Sequence, residues 1–140
     1  MAAVKSRDTA PELVVRSLLH KAGFRFRLHR KDLPGNPDVV LPKYGAVVLV
    51  HGCFWHQHQG CKHAARPSSH RDYWQLKLDR NVARDEKNLV ELSALGWKVL
   101  VVWECETKDK AALSETILSF LSEQTPNKVV STDVQKSTRR

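Results

Sequence analysis

Long apolar runs are missing from this sequence. No stretch approaches the roughly 20 residues that a bilayer-spanning helix requires. The opening residues MAAVKSRDTAPE hold neither the apolar stretch nor the small-residue cleavage site of a signal peptide. A soluble, cytoplasmic protein with no membrane partner is expected. Cysteine is scarce, three in 140 residues. An odd number of thiols without a secretion signal argues against a disulfide framework and leaves metal binding as their better use. Acidic residues are in deficit, 15 against 23 Lys and Arg, for a net charge of +8. A small basic domain is drawn to polyanions, because its cations displace the counterions condensed on phosphates. No internal repeat is present, so a repeat architecture is excluded.

What is present fits one domain over residues 1–122, with 41% hydrophobic residues to build its core. Thr9 and Glu12 have the spacing of a capping box, ahead of an apolar helical stripe (Leu13, Val14, Leu18, Leu19, Ala22) that stops at Gly23. FRFRL (24–28) alternates like a strand with one basic, wet face. LPGNP (33–37) is a turn, and DVVLP and AVVLVHG read as strands, the second so aliphatic that it should be buried on both faces. Residues 70–95 carry helical character up to Gly96. WKVLVVWE (97–104) is a further buried strand with Trp97 and Trp103 in the core, and 107–122 closes as an amphipathic helix. Residues 123–140 are polar without a period and are expected to be a disordered tail. The order helix, three strands, helix, strand, helix predicts an α/β domain, a mixed central sheet flanked by helices.

The segment HGCFWHQHQGC (51–61) concentrates the chemistry. Cys53, His58 and Cys61 share one loop after the central strand, and Cys105 follows the next buried strand. If those strands are parallel neighbours, their ends adjoin, and Cys105 completes a Cys3His site for structural zinc. Two other readings stay open: three buried free thiols, or His51 or His56 as the ligand in place of His58. A loop stapled in this way cannot easily turn all its rings inward, so at least some of Phe54 and Trp55 should face outward.

LPGNPDVVLP, VHGCFWHQHQGC, DYWQLKLDRNVARDEKN and LGWKVLVVWECE together resemble the very short patch repair (Vsr) DNA mismatch endonucleases, from about Val4 to about Thr107. The resemblance implies a restriction-endonuclease-like fold, a structural Zn2+ and Mg2+-dependent chemistry. The implied reaction nicks one strand of double-stranded DNA 5′ to the T of a T·G mismatch, left by deamination of 5-methylcytosine. That makes the chain a monomer, nucleoid-associated when on DNA, with mismatch-repair and repair-synthesis proteins as further partners. Two alternatives remain: a Vsr-like nuclease with a different or relaxed target, and a zinc-stabilised DNA-binding module without catalysis. Relatives generally carry a longer N-terminal arm, and weaker DNA binding than an upstream-extended form is expected.

By the same resemblance Asp38 matches the Mg2+ ligand, aided by the Val50 backbone carbonyl where some relatives carry Thr. Taken alone, Asp38 would be a turn cap. Restriction-like nucleases usually place an acid-x-Lys pair on the next strand; here that strand ends VLVHG, with neither. His51 and His56 should substitute, His56 activating or orienting the attacking water and His51 contacting the phosphate or assisting, since imidazole titrates near neutrality. Glu12 matches a catalytic-site residue, although the capping box explains it alone. Phe54, Trp55 and Trp74 match intercalating aromatics. Lys77 and Asn81 match residues that read the mismatch region. Arg80 and Arg84 are assigned to phosphates, with Asp85 orienting one of them.

Overall fold

The computed structural model describes residues 9–122 together with the backbone of a short strand at 129–131. Helix α1 (Ala10–Lys21) begins where Thr9 accepts the Glu12 N–H and Pro11 sits in the first turn, its fixed φ already helical. It ends at Gly23, whose φ of 88° only glycine adopts without strain. Val15 and Leu19 are its fully buried residues.

Five strands form one sheet in chain order: β1 (Arg27–Leu28), β2 (Val39–Leu41), β3 (Ala46–His51), β4 (Lys98–Trp103) and β5 (Val129–Ser131). The first three are antiparallel neighbours; β3, β4 and β5 run parallel. The crossover from β3 to β4 is the long helix α2 (Arg71–Ala94), and α3 (Lys110–Ser122) follows β4.

Alternation along the central strands sorts the core into two layers. Ala46, Val48, Leu100 and Val102 face one cluster with Val15, Leu19, Leu113, Ile117 and Phe120 of α1 and α3. Val47, Leu49, Val99 and Val101 face the other with Leu92 of α2, against which Trp97 and Trp103 pack. Burying each large aliphatic side chain contributes about 1.5–3 kcal/mol. This two-sided cover is why β3 reads as an unbroken apolar run.

Several boundaries differ from the sequence expectations. The 24–28 stretch does alternate, with Phe24 and Phe26 against the core, but ladder pairing is confined to Arg27 and Leu28. The last helix starts at Lys110 because Glu104–Lys108 wind as a tighter 3-10 turn. The tail expected to be disordered from 123 lies largely outside the described residues, yet Val129–Ser131 pair with β4 and extend the sheet. The β-branched pair Val129–Val130 suits a strand, and it was diluted there by polar neighbours.

Register then positions the site. His51 pairs with Trp103 at the carboxyl ends of β3 and β4. Cys53 and Cys105 each lie two residues beyond that pair, so they emerge side by side.

Candidate active site and metal centre

The Sγ and ring-nitrogen atoms of Cys53, His58, Cys61 and Cys105 all lie within 4.8 Å of one another. His58 Nδ1 is 3.6 Å from Cys53 Sγ and 3.5 Å from Cys105 Sγ. The loop between them is closed by its own backbone: the His58 N–H donates to the Cys53 carbonyl at 2.9 Å and the Cys61 N–H to the His58 carbonyl at 3.2 Å. Trp103 stacks on the His58 ring, centroids 4.2 Å apart and planes within 8°. Burial, with neighbouring thiols adding to it, pushes the Cys105 thiol up to about 12, and burial also raises Cys53. Three sulfurs and one imidazole crowded without a disulfide are a donor set suited to a tetrahedral, borderline-soft cation, and the cluster could bind a metal.

A second group gathers beside it. The Asp38 carboxylate accepts the Val50 N–H at 2.7 Å. Burial raises the Asp38 carboxyl to about 6, with the nearby Glu12 charge adding to the rise and the Val50 bond opposing it. Glu12 is buried, accepts the Thr9 hydroxyl at 3.3 Å and the Arg16 guanidinium at 3.2 Å, and lies 3.6 Å from His29 Nε2. Its carboxylate therefore works inward, and the capping box does not account for it alone. Donor atoms of Glu12, His29 and Asp38 fall within 4.8 Å of one another.

Between these groups His51 and His56 stack with ring centroids 4.0 Å apart and planes within 7°. Asp85 bonds His56 Nδ1 at 2.6 Å. Asp85 therefore orients a histidine, not the arginine assigned to it from the sequence; it follows Arg84 directly on α2 and faces the loop that carries His56. His51 is 8% exposed. Burial, then the neighbouring His56, lowers its pKa to about 3, so the ring is neutral at working pH. Although donors of His51, His56 and Asp85 also lie close together, stacked imidazoles direct their in-plane lone pairs in parallel. They are poorly disposed to share one ion and better disposed to hold or pass a proton.

The rings Phe54, Trp55 and Trp74 are half-buried and cluster together, Phe54 meeting Trp55 and Trp74 edge-to-face at centroid separations of 5.2 and 5.4 Å and the two tryptophans tilted against each other at 5.9 Å. Phe54 and Trp55 line the cleft described below. Asn81 donates to the Trp55 carbonyl at 3.1 Å and accepts from Arg84 at 2.8 Å, and the Lys77 ammonium sits 6.0 Å from the Trp55 ring. One cleft of about 1240 Å3 is lined by Glu12, His29, Asp38, Val50, His51, Phe54, Trp55, His56, Lys77, Asn81, Arg84 and Asp85.

Residues 1–63 match the family DNA mismatch endonuclease Vsr. The chain is 52% identical over 121 residues to the Type II nicking enzyme V.XorIIP of Xanthomonas oryzae pv. oryzae, spanning 86% of this chain and 88% of that protein. It is 45% identical over 123 residues to the Type II nicking enzyme V.NmeAIP of Neisseria meningitidis, 88% and 87% of the two chains. With the DNA mismatch endonuclease Vsr of Escherichia coli it shares 40% identity over 119 residues, 85% and 76% of the two chains. The chain belongs to the Vsr family.

Set against the Vsr resemblance, the fold gathers most of the expected residues. Asp38, Glu12, Val50, His51 and His56 meet in one cleft, and Lys77, Asn81 and Arg84 line it from a single face of α2. Arg80 does not join them. It lines a shallow depression on another side of α2 with Asp72, Gln75, Leu76 and Asp79, about 40° round the helix from Arg84 and about 100° from Asn81 by the 100° step per residue. Two residues of this Vsr cleft, and a third that contacts it through Glu12, escaped sequence reasoning. His29 arrives because pairing of β1 with β2 continues one residue further, its N–H donating to the Asp38 carbonyl at 3.3 Å. Arg16 reaches Glu12 one helical turn away. Glu104 accepts the Cys53 N–H at 3.4 Å and lines the cleft. The only sequence signal for Arg16 was its i,i+4 spacing from Glu12; none marked His29 or Glu104.

Proposed function

We propose that this chain is a Mg2+-dependent endonuclease of restriction-endonuclease-like fold. It acts as a monomer on double-stranded DNA and nicks one strand 5′ to the T of a T·G mismatch, initiating very short patch repair. Membership of the Vsr family supports the mismatch-nicking activity. The observation that carries the site assignment is the convergence, in one cleft at the ends of β3 and β4, of paired carboxylates, a carboxylate-held histidine and an aromatic rim.

In this reading Asp38, Glu12 and the Val50 carbonyl would hold Mg2+, a hard ion matched by oxygen donors. When bound, the ion polarises the scissile phosphate and acidifies water. Asp85 accepts the His56 Nδ1 proton, which leaves Nε2 with its lone pair free to orient the attacking water and take its proton. His51, neutral and stacked on His56, supports that ring and assists at the phosphate. Cys53, His58, Cys61 and Cys105 would hold Zn2+ in a closed set with no position for substrate, so the ion's work is structural. Phe54, Trp55 and Trp74 would enter the base stack, which costs least where pairing is already defective. Lys77 and Asn81 would meet base edges and Arg84 the phosphates in the cleft, with Arg80 left to phosphates outside it.

A second reading has a specific basis. Two of the relatives are named Type II nicking enzymes and not mismatch endonucleases, which supports a Vsr-like nuclease with a different or relaxed DNA target. Strand nicking of a T·G duplex and its T·A control, with Mg2+ or with EDTA, separates these readings. Mg2+-dependent nicking of the T·G duplex alone is expected, with loss of activity in Asp38→Ala. Equal cutting of both duplexes points to a relaxed target, and binding without cutting points to a DNA-binding module. An active Asp38→Ala enzyme removes the metal assignment.

A further inference from the structure

The three clustered rings come from two separate elements. Trp74 belongs to α2, whereas Phe54 and Trp55 sit on the loop between Cys53 and Cys61. Gln57 stands midway along that loop with a half-buried side chain. Its Nε2 donates to the Phe54 carbonyl at 2.7 Å and to the Ala64 carbonyl at 3.0 Å, and its Oε1 accepts Arg66 Nε at 2.7 Å. Two carbonyls on one side and a guanidinium on the other fix which way the amide points, because a flipped amide would set oxygen against oxygen. A second nitrogen of Arg66, Nη2, donates to Asp79 Oδ1 on α2 at 2.7 Å. Asn81 and Asp85 of α2 hold Trp55 and His56 of the same loop. Gln57, Arg66 and Asp79 extend that hold to Phe54.

Such a tie bears on specificity. A ring gains stacking only where a base step opens to receive it, which a T·G step does more readily than a paired T·A step. A loop that must be ordered on binding loses part of that gain to its own ordering, and a loop held beforehand keeps it. Since the ring enters at the mismatch and not at intact pairing, loosening the loop weakens T·G binding and leaves T·A binding nearly unchanged. Arg66 and Asp79 are 35% and 57% exposed, and an exposed ion pair contributes little to stability by itself. What it supplies is a fixed position. We infer that Gln57 and Arg66 are positioning residues for mismatch recognition, bracing the Phe54 loop against α2 before DNA binds. The inference rests on the reading above that Phe54 enters the base stack.

The test measures binding of the full, zinc-loaded chain to T·G and T·A duplexes by fluorescence anisotropy, with the zinc content of each variant taken by atomic absorption. Gln57→Leu, similar in size but without the amide, should lower the preference for T·G about fivefold, as loss of one net hydrogen bond would, at the parental zinc content. Arg66→Ala, which leaves the loop's own bonds in place and decides the case should Gln57→Leu lose zinc, should lower it about threefold. Arg66→Lys should lower it equally, because an ammonium keeps the charge but not the fork that bridges Gln57 and Asp79. In a Phe54→Ala background neither Gln57→Leu nor Arg66→Ala should lower the preference further, since groups that act through one ring are not additive. Equal weakening of both duplexes, or a loss that adds to that of Phe54→Ala, marks a merely structural role and overturns the inference. So does Arg66→Lys at the parental preference, or Arg66→Ala with the preference kept and a salt slope shallower by about one, the signature of a phosphate contact. If Gln57→Leu and Arg66→Ala keep the preference while Phe54→Ala loses it, the brace is overturned and the aromatic reading stands. If Phe54→Ala keeps the preference, that reading falls and this inference falls with it.

Discussion

At position 38 a carboxylate is held where water is scarce, beside a second carboxylate and with one backbone N–H to stabilise its charge. Its pKa rises from 3.8 unfolded to about 6 folded. The folded state thus keeps a proton that the unfolded state releases. No stability is lost below about pH 3.8; the loss grows as pH rises and is complete above about pH 6. Asn in this place can still accept the Val50 N–H but cannot ionise. Asp38→Asn should therefore be more stable than the parent protein at about pH 7.5 in Mg2+-free buffer, by on the order of 2 kcal/mol, and no more stable at about pH 4. Thermal melts at the two pH values check this, and a lower melting temperature at pH 7.5 contradicts it. The gain would come with loss of nicking, the usual relation between a strained site and its function. Asp38 itself was legible in the sequence only through the family motif. Asp85 was misread, because a charged residue on a helix gives no sign of which loop will fold against it. Glu12 was legible twice over, and the simpler role concealed the inward-facing one.

At the scale of elements, the parallel pairing of β3 with β4 does most to build the site. It brings Cys105 to a loop more than forty residues earlier in the chain, and the cysteine-rich loop has no helix or strand longer than one 3-10 turn to hold it. A metal bound there would substitute for secondary structure. The protein should contain about one zinc per chain by atomic absorption. Cys105→Ala should lose that zinc, and the loop between Cys53 and Arg66 should become the first site of protease cleavage while the sheet stays intact by circular dichroism. Retention of zinc at full stoichiometry in Cys105→Ala would contradict the assignment. The elements themselves were largely predictable from periodicity, and their ends were not. Whether residues 104–108 join α3 or wind separately depends on Thr107, which turns its hydroxyl back to the Glu104 carbonyl at 2.7 Å.

Across the whole molecule, the excess of eight positive charges and the rim of three rings should play separable parts on DNA. Phosphate contacts release counterions and set the salt dependence, whereas stacking does not. Fluorescence anisotropy between about 50 and 200 mM salt should give Arg84→Ala a salt slope shallower by about one, with the preference for T·G over T·A kept. Phe54→Ala should keep the slope and lose about tenfold of the preference. Interchange of these two signatures would contradict the division of labour.

Composition, periodicity and ligand spacing by themselves gave the basic α/β character, the buried central strands and the cysteine–histidine cluster, because those properties are local or additive along the chain, while the family came from the resemblance of four longer motifs. Tertiary structure alone decided which side of α2 meets the cleft, that Asp85 serves His56, that His29 and Arg16 enter the carboxylate pocket, and that a fifth strand extends the sheet. Those depend on strand register and helix rotation. Both arise when distant apolar faces pack together, so neither is written in any short stretch of sequence.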